Sequence, residues 1–328
     1  MISSRALSLT IEMTDKLERQ DKKLTEKPQV KRDLHINKPK WLKTKIPTGS
    51  TFFDIKRDLR KKNLYTVCEE AKCPNISECW ATNTATFMIL GDTCTRACRF
   101  CNVKTGNPNG WLDESEPEKT AESVSLMKLT YAVLTMVDRD DLEDGGASHV
   151  AKVFSRIRET SPQCRLEFLG GDFQAKDEAL AKILELQPEV FAHNIETIER
   201  LTPRVRDARS TYRRSLAVLK RVKEIADYPL LTKSAMMLGL GETKDEVIQA
   251  MKDLRSHDVD IVTIGQYMRP SKRHLSIKEF VEPAVFEELA TIARELGFVG
   301  VASSPLVRSS YRAGELYDEA LKILNKEG

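Results

Sequence analysis

From Thr84 onward the chain repeats one unit: a short apolar run, a polar turn, then an amphipathic stretch with helical spacing. The apolar runs are Ala85–Gly91, Tyr131–Val137, Arg165–Leu169, Val190–Asn194, Leu231–Leu238 and Asp260–Gly265. Periodicity places helices between them at Glu116–Leu129, Ala147–Glu159, Lys176–Leu186, Thr211–Ala226 and Lys244–His257, with another at Ala284–Leu296 after the sixth run. Strands separated by helices cannot pair as hairpins, so they form a parallel sheet, either open and doubly wound or rolled into a full or partial (β/α) barrel. Unusual polar residues follow several different strands: Asp138–Asp141 and Gly145-Gly146 after the second, Asn194 and Glu196 after the fourth, Gly239–Glu242 after the fifth, Gln266 after the sixth. A site fed by many strand ends favours the barrel, since an open sheet gathers its site at one crevice. The expected fold is therefore α/β, a partial (β/α)6 TIM-type barrel over residues 84–302. Flanking it are a basic arm (1–40), an N-terminal extension (41–83) and a C-terminal tail (303–328), in which a short apolar stretch, Phe298–Ala302, precedes a polar knot and a final helix, Glu315–Leu324.

The first strand runs into Cys94, Cys98 and Cys101, spaced C-x3-C-x2-C with Phe100 before the last. Just upstream stands a second triplet, Cys68, Cys73 and Cys79, read as lying in a loop broken by Pro74; Cys164 is alone. Two triplets and a spare are a poor basis for disulfides and a good one for soft-metal ligation in a reducing compartment. Thiolates select zinc, copper(I) or iron–sulfur clusters, and three of them leave one position of a four-coordinate site for substrate or cofactor. Spacing alone leaves a structural zinc site open beside the cluster.

Charge narrows the partners. Residues 1–62 hold 17 Lys/Arg against 8 Asp/Glu, net +9, so the rest of a chain of net charge +3 carries −6. A basic arm on an acidic body steers acidic partners, or is simply a solvated tail. No nucleic-acid motif or interleaved aromatic pattern accompanies it. The apolar runs fall far short of the roughly 18 residues of a membrane span. The first twenty residues lack a secretory pattern, and Glu12, Asp15 and Glu18 argue against a transit segment; a cytoplasmic location is expected.

The triplet after the first strand resembles the radical S-adenosylmethionine (SAM) superfamily. Further stretches resemble the lipoyl synthase family: CEEAKCPNISEC over 68–79, VDRDDLEDGGA over 137–147, HNIET over 193–197, MLGLGET over 237–243, TIGQYMRPSKRHL over 263–275 and LVRSSYRA over 306–313. The resemblance runs from Lys38 to Arg312. It implies that Cys94, Cys98 and Cys101 hold a [4Fe–4S] cluster whose open iron binds SAM. It implies a second, auxiliary [4Fe–4S] cluster on Cys68, Cys73 and Cys79, with a serine of Arg-Ser-Ser-Tyr, assigned to Ser310 rather than Ser309, as fourth ligand. These four residues would act in catalysis, because the auxiliary cluster is consumed as the sulfur source. The implied reaction places sulfur at C6 and C8 of an octanoyl chain amide-linked to a lysine of a lipoyl carrier domain (2-oxoacid dehydrogenase E2, glycine cleavage H protein). Two 5′-deoxyadenosyl radicals remove the hydrogens. An electron donor such as ferredoxin or flavodoxin and iron–sulfur assembly or repair proteins are implied partners; nucleic acid and membrane are not.

Weaker expectations come from the same resemblance. Asn194 and Glu196 contact the cofactor's ribose or methionine, or cap a helix. Gly145-Gly146 lies beside its amino group, or makes an ordinary turn. Gly239–Glu242 opens a helix and lacks the rest of a phosphate loop. His193 is a packed strand-end residue and Cys164 a bystander. Arg308 pairs with a carboxylate, holds the tail over the auxiliary cluster, or lies on the surface. The double glycine Gly170-Gly171 after the third strand has no assigned role.

Overall fold

The computed structural model describes residues 38–42, 56–57, 66, 68, 73 and 75–327. Residues 52–63, where the spacing of Phe52, Ile55 and Leu59 predicts a helix, lie almost wholly outside them, as does nearly all of the basic arm. The chain divides between Lys38 and Pro39, and every strand and helix named below belongs to the unit Pro39–Gly328.

Seven strands form one sheet: β1 (Thr84–Ile89), β2 (Tyr131–Met136), β3 (Arg165–Leu169), β4 (Val190–Ala192), β5 (Leu231–Leu238), β6 (Ile261–Gln266) and β7 (Gly300–Ser303). All neighbours are parallel. Spatial order equals chain order, without the reversal that defines a doubly wound sheet, and β1 and β7 are the two edges. This is the partial barrel, one strand wider than expected. The short stretch around Phe298–Ala302 supplies β7, whose residues pair with Ile261–Ile264 of β6.

The helices are α1 (Ile76–Ala81), α2 (Glu116–Leu126), α3 (Ala147–Thr160), α4 (Asp177–Leu184), α5 (Tyr212–Ile225), α6 (Lys244–Arg255), α7 (Pro283–Glu295) and α8 (Ala313–Glu327). Their boundaries follow local chemistry. Thr243 and Glu246 make a reciprocal capping box at the start of α6. Thr211 accepts the Arg214 amide at α5, and Pro283 occupies the first turn of α7, where no amide donor is needed. Cys79 lies on α1, so the first triplet is not carried wholly in a loop.

Outward-facing strand residues build the two large cores under the helices, one around Phe87, Leu134 and Phe168 and the other around Met236, Val262 and Ile264. The concave face is partly polar. Lys233 on β5 reaches across β4 to Glu167 on β3 (2.8 Å), and the Tyr131 hydroxyl donates to the same carboxylate (3.0 Å). All three are buried, so each charge is compensated where water cannot reach it. Helix α8 covers this end: Leu316 and Ala320 pack on Val190, Leu231 and Ile261, and Asp318 pairs with Arg165.

Residues 304–310 close the open side. Pro305 O accepts the Gln266 amide on β6 (3.2 Å), and a Cβ on Gly265 would stand 2.2 Å from Val307 O, so only glycine lets the tail pass. The tail then reaches β1, where Thr86 meets Ser310.

Candidate functional site

The loop after β1 is framed from three directions. From the end of β2, Asp138 O accepts the Thr95 amide and hydroxyl, both at 2.9 Å. From residues beyond β4, Val205 O accepts the Arg99 amide (2.9 Å), and the Asp207 carboxylate accepts the Ala97 amide (2.9 Å). From beyond β6, His274 Nε2 bonds Cys101 O (2.9 Å). Arg96, between the first two cysteines, is 4% exposed and grips Asp172 and Asp140, each with two N–H groups. It bolts the loop to the ends of β2 and β3.

This framing gives each thiol its own backbone donor: Arg96 N–H to Cys94 Sγ (3.4 Å), Asp207 N–H to Cys98 Sγ (3.3 Å) and Val103 N–H to Cys101 Sγ (3.5 Å). Burial pushes Cys94 and Cys98 up to about 11 and raises Cys101. Asp138 acts electrostatically on Cys94 and Cys101, and Glu196 on Cys98 and Cys101, so the structure brings the β2 and β4 ends to the cysteines. Burial lifts Asp138 to about 6 against the opposing pull of Arg96. Burial likewise raises Glu196, which accepts from Asn194 Nδ2 (3.1 Å). Asn194 Oδ1 is buried without a partner, an acceptor that a bound ligand's donor would satisfy. Glu196 also has φ +65°, a conformation held at a cost by its bridge to Met236.

The double glycine gains a reason here: a Cβ on Gly171 would stand 2.4 Å from Asp138 Oδ1. Gly145 lines a cavity of about 250 Å³ with Arg96, Asp138 and Phe173. Gly146, at φ +92°, opens α3, and a Cβ there would press on Leu90 at 2.7 Å. The Glu242 carboxylate accepts the Gly239 and Leu240 amides, so that stretch is a self-satisfied turn. His193 is buried, bonding Gly170 O and Ser215 Oγ, both at 2.9 Å. Cys164 is buried before β3, away from both triplets.

The second triplet lines a cavity of about 280 Å³ together with Asn75, Thr84, Thr86, Arg308, Ser310 and Tyr311. The Cys73 amide donates to Cys68 O (2.9 Å), fixing the turn between them. Two bonds clasp this segment to the tail: Asn75 Nδ2 to Leu306 O (2.6 Å) and the Tyr311 hydroxyl to Glu78 (2.7 Å). Thr86 hydrogen-bonds Cys68 and donates its hydroxyl to Ser310 Oγ at 2.9 Å. Ser309 does not line the cavity. Burial raises Cys68 and Cys73 and takes Cys79 to about 11.

Six thiols held neutral by burial, several with amide donors aimed at sulfur, suit a group that binds thiolates and displaces their protons. Among the described residues no three His, Cys, Asp or Glu side chains converge on a single metal ion. A cubane cluster makes a different demand, since each thiolate meets its own iron.

Sequence reading missed Arg96, Thr86, Arg206 and Asp207 as site residues. Arg96 was signalled only by lying between two ligating cysteines. Arg206 is buried, donates to Ser215 Oγ (2.7 Å) and acts on Cys98 and Glu196.

Residues 88–254 match the model of the radical SAM superfamily. The partial barrel also superposes on the crystal structure of HydG, a maturase of the [FeFe]-hydrogenase, with a TM-score of 0.54 at 13% identity, over 84% of this chain and 67% of that one. Fold and cysteine loop therefore define a radical SAM protein, of a class that uses SAM and [4Fe–4S] clusters. Residues 9–73 match the N-terminal domain of lipoyl synthase of the radical SAM family. The mitochondrial lipoyl synthase of Schizosaccharomyces pombe is 54% identical over 88% of this chain and 79% of its own length. The lipoyl synthase of Halalkalibacterium halodurans is 54% identical over 88% and 95%. The chain belongs to the lipoyl synthase family.

Proposed function

We propose that the protein inserts two sulfur atoms, at C6 and C8, into an octanoyl chain carried on a lysine of a lipoyl carrier domain. One observation carries this reading: Ser310, from the far end of the chain, presents its hydroxyl in the cavity of the second cysteine triplet. Cys94, Cys98 and Cys101 would hold the cluster that binds SAM, and Cys68, Cys73, Cys79 and Ser310 the auxiliary one. When bound, the first with SAM supplies hydrogen-atom abstraction from C–H bonds that no positioned base can deprotonate, and the second supplies sulfur. Asn194 and Glu196 offer buried polar atoms to SAM, and Gly145-Gly146 would make the turn beside its amino group. Ser310 would contribute a hard oxygen where iron prefers sulfur, the weakest of the four ligands such a cluster would have. Thr86 holds that oxygen in place.

The basic residues of the 1–40 arm attract an acidic carrier such as a 2-oxoacid dehydrogenase E2 domain or a glycine cleavage H protein. Ferredoxin or flavodoxin would supply electrons, and iron–sulfur assembly proteins would rebuild what is consumed. Seven free thiols accord with a reducing compartment, which we take as the cytoplasm. No helix among the described residues is long and apolar enough to cross a membrane.

The test is anaerobic reconstitution with SAM, reductant and an octanoylated carrier. Ser310→Ala should still release 5′-deoxyadenosine yet make little lipoyl product, whereas Cys98→Ala should lose both. Wild-type lipoyl yield from Cys68→Ala would sink the auxiliary role. Iron and sulfide should each count about eight per chain, against about four for a single cubane.

A further inference from the structure

Arg308 is a half-buried cation with no acid among the described residues to answer it. Its guanidinium donates to Val307 O (2.7 Å) and at the limit of reach to Gln266 O (3.5 Å), both neutral carbonyls. Among the described residues no carboxylate lies within ion-pair distance. Two other arginines sunk into this end of the barrel are treated differently: Arg96 holds Asp140 and Asp172, and Arg139 holds Asp141. Arg308 instead lines the second triplet's cavity, and among the described residues Cys73 is the ionisable group that acts on it. A guanidinium half removed from water and left unpaired costs stability, so such a residue persists where a ligand supplies the missing negative charge.

We infer that Arg308 is the counter-cation of the auxiliary cavity, a positioning residue that makes the site selective for an anionic occupant. This rests on the reading that Cys68, Cys73 and Cys79 hold a cluster. Three thiolates and a serine oxygen around four irons give that occupant net negative charge, increased by each electron it accepts. A fixed cation beside Cys73 stabilises the occupied site over the empty one, and the reduced state over the oxidised. It acts through space, without bonding iron.

The consequence has crossed signs, which a merely structural arginine would not produce. In a background with Cys94, Cys98 and Cys101 changed to alanine, only the second triplet can load iron. There Arg308→Gln should leave the empty protein at least as heat-stable as its parent, because an unpaired cation has gone. The loaded protein should lose iron to a chelator roughly tenfold faster than its parent, the scale of one charge-assisted interaction. Its reduction midpoint should move to lower potential. Arg308→Lys should restore both properties in large part. If Arg308→Gln lowers the melting temperature of the empty protein, or leaves iron retention and midpoint unchanged, the inference is overturned. It is equally overturned if lysine behaves like glutamine. If the parent itself binds no iron, the failure belongs to the ligand assignment instead.

Discussion

The hydroxyls of Thr86 and Ser310 stand 2.9 Å apart across 224 positions of sequence, with Thr86 the donor. The bond leaves the serine's own proton and remaining lone pair toward the cavity shared with three cysteines. Thr86→Val keeps the strand's shape while removing this donor. We expect the second triplet to load iron normally and 5′-deoxyadenosine release to hold. Lipoyl product should fall roughly fivefold, in keeping with the loss of one hydrogen bond of about 1 kcal/mol. Product yield per SAM cleaved is the measurement; an unchanged yield would show that Ser310 needs no such tether.

Arg96 makes the cysteine loop depend on acids far away in sequence. Arg96→Met leaves Asp172, fully buried, with only the Arg214 guanidinium at 3.8 Å, which should lower unfolding free energy by roughly 3 kcal/mol. Arg96→Lys should recover only part, because a single ammonium cannot serve two carboxylates with parallel donors. Urea titration of the iron-free protein checks both. A loss confined to iron loading, with stability intact, would mean the clamp serves the site alone.

His193 links β4 to the chemistry end through hydrogen-bond direction. Gly170 O only accepts, so Nδ1 carries the proton; Nε2 then accepts from Ser215, whose oxygen takes the Arg206 N–H. Protonating Nε2 would break this relay and set a second cation beside Arg206. Burial first, then Arg206, hold His193 down at about 4 against an ordinary 6.5. The neutral ring therefore contributes stability that is full above pH 6.5 and lost as pH falls toward 4, up to ~3 kcal/mol. Unfolding of the iron-free protein between pH 7 and 4.5 should show this slope, and His193→Asn should flatten it. Parallel slopes in the two proteins would remove His193 from the relay.

Strand–helix alternation was enough to read six of the seven sheet strands and their parallel pairing, because each repeat carries its own periodicity. β7 escaped notice, since four residues pairing along one edge leave no pattern of their own. Cys94, Cys98, Cys101, Asn194 and Glu196 stand out in the sequence by residue type and by position after strands, and Cys68, Cys73 and Cys79 by their spacing. Thr86 was not: on a strand a threonine looks like any β-branched residue, and only the folded tail gives it a partner. Arg96 was hidden for the same reason, its acids lying 44 and 76 positions away. The role of Gly171 appears only once Asp138 is beside it.

The tail that crosses from β6 to β1 has a consequence in time. Synthesis delivers Cys68, Cys73, Cys79 and Thr86 first, while the wall bearing Arg308, Ser310 and Tyr311 comes much later, Ser310 224 positions after Thr86. Until then the cavity is an open trench. An iron donor thus has its widest access before the last helix docks, and a chain truncated ahead of Ser310 would carry every cysteine yet have no lid.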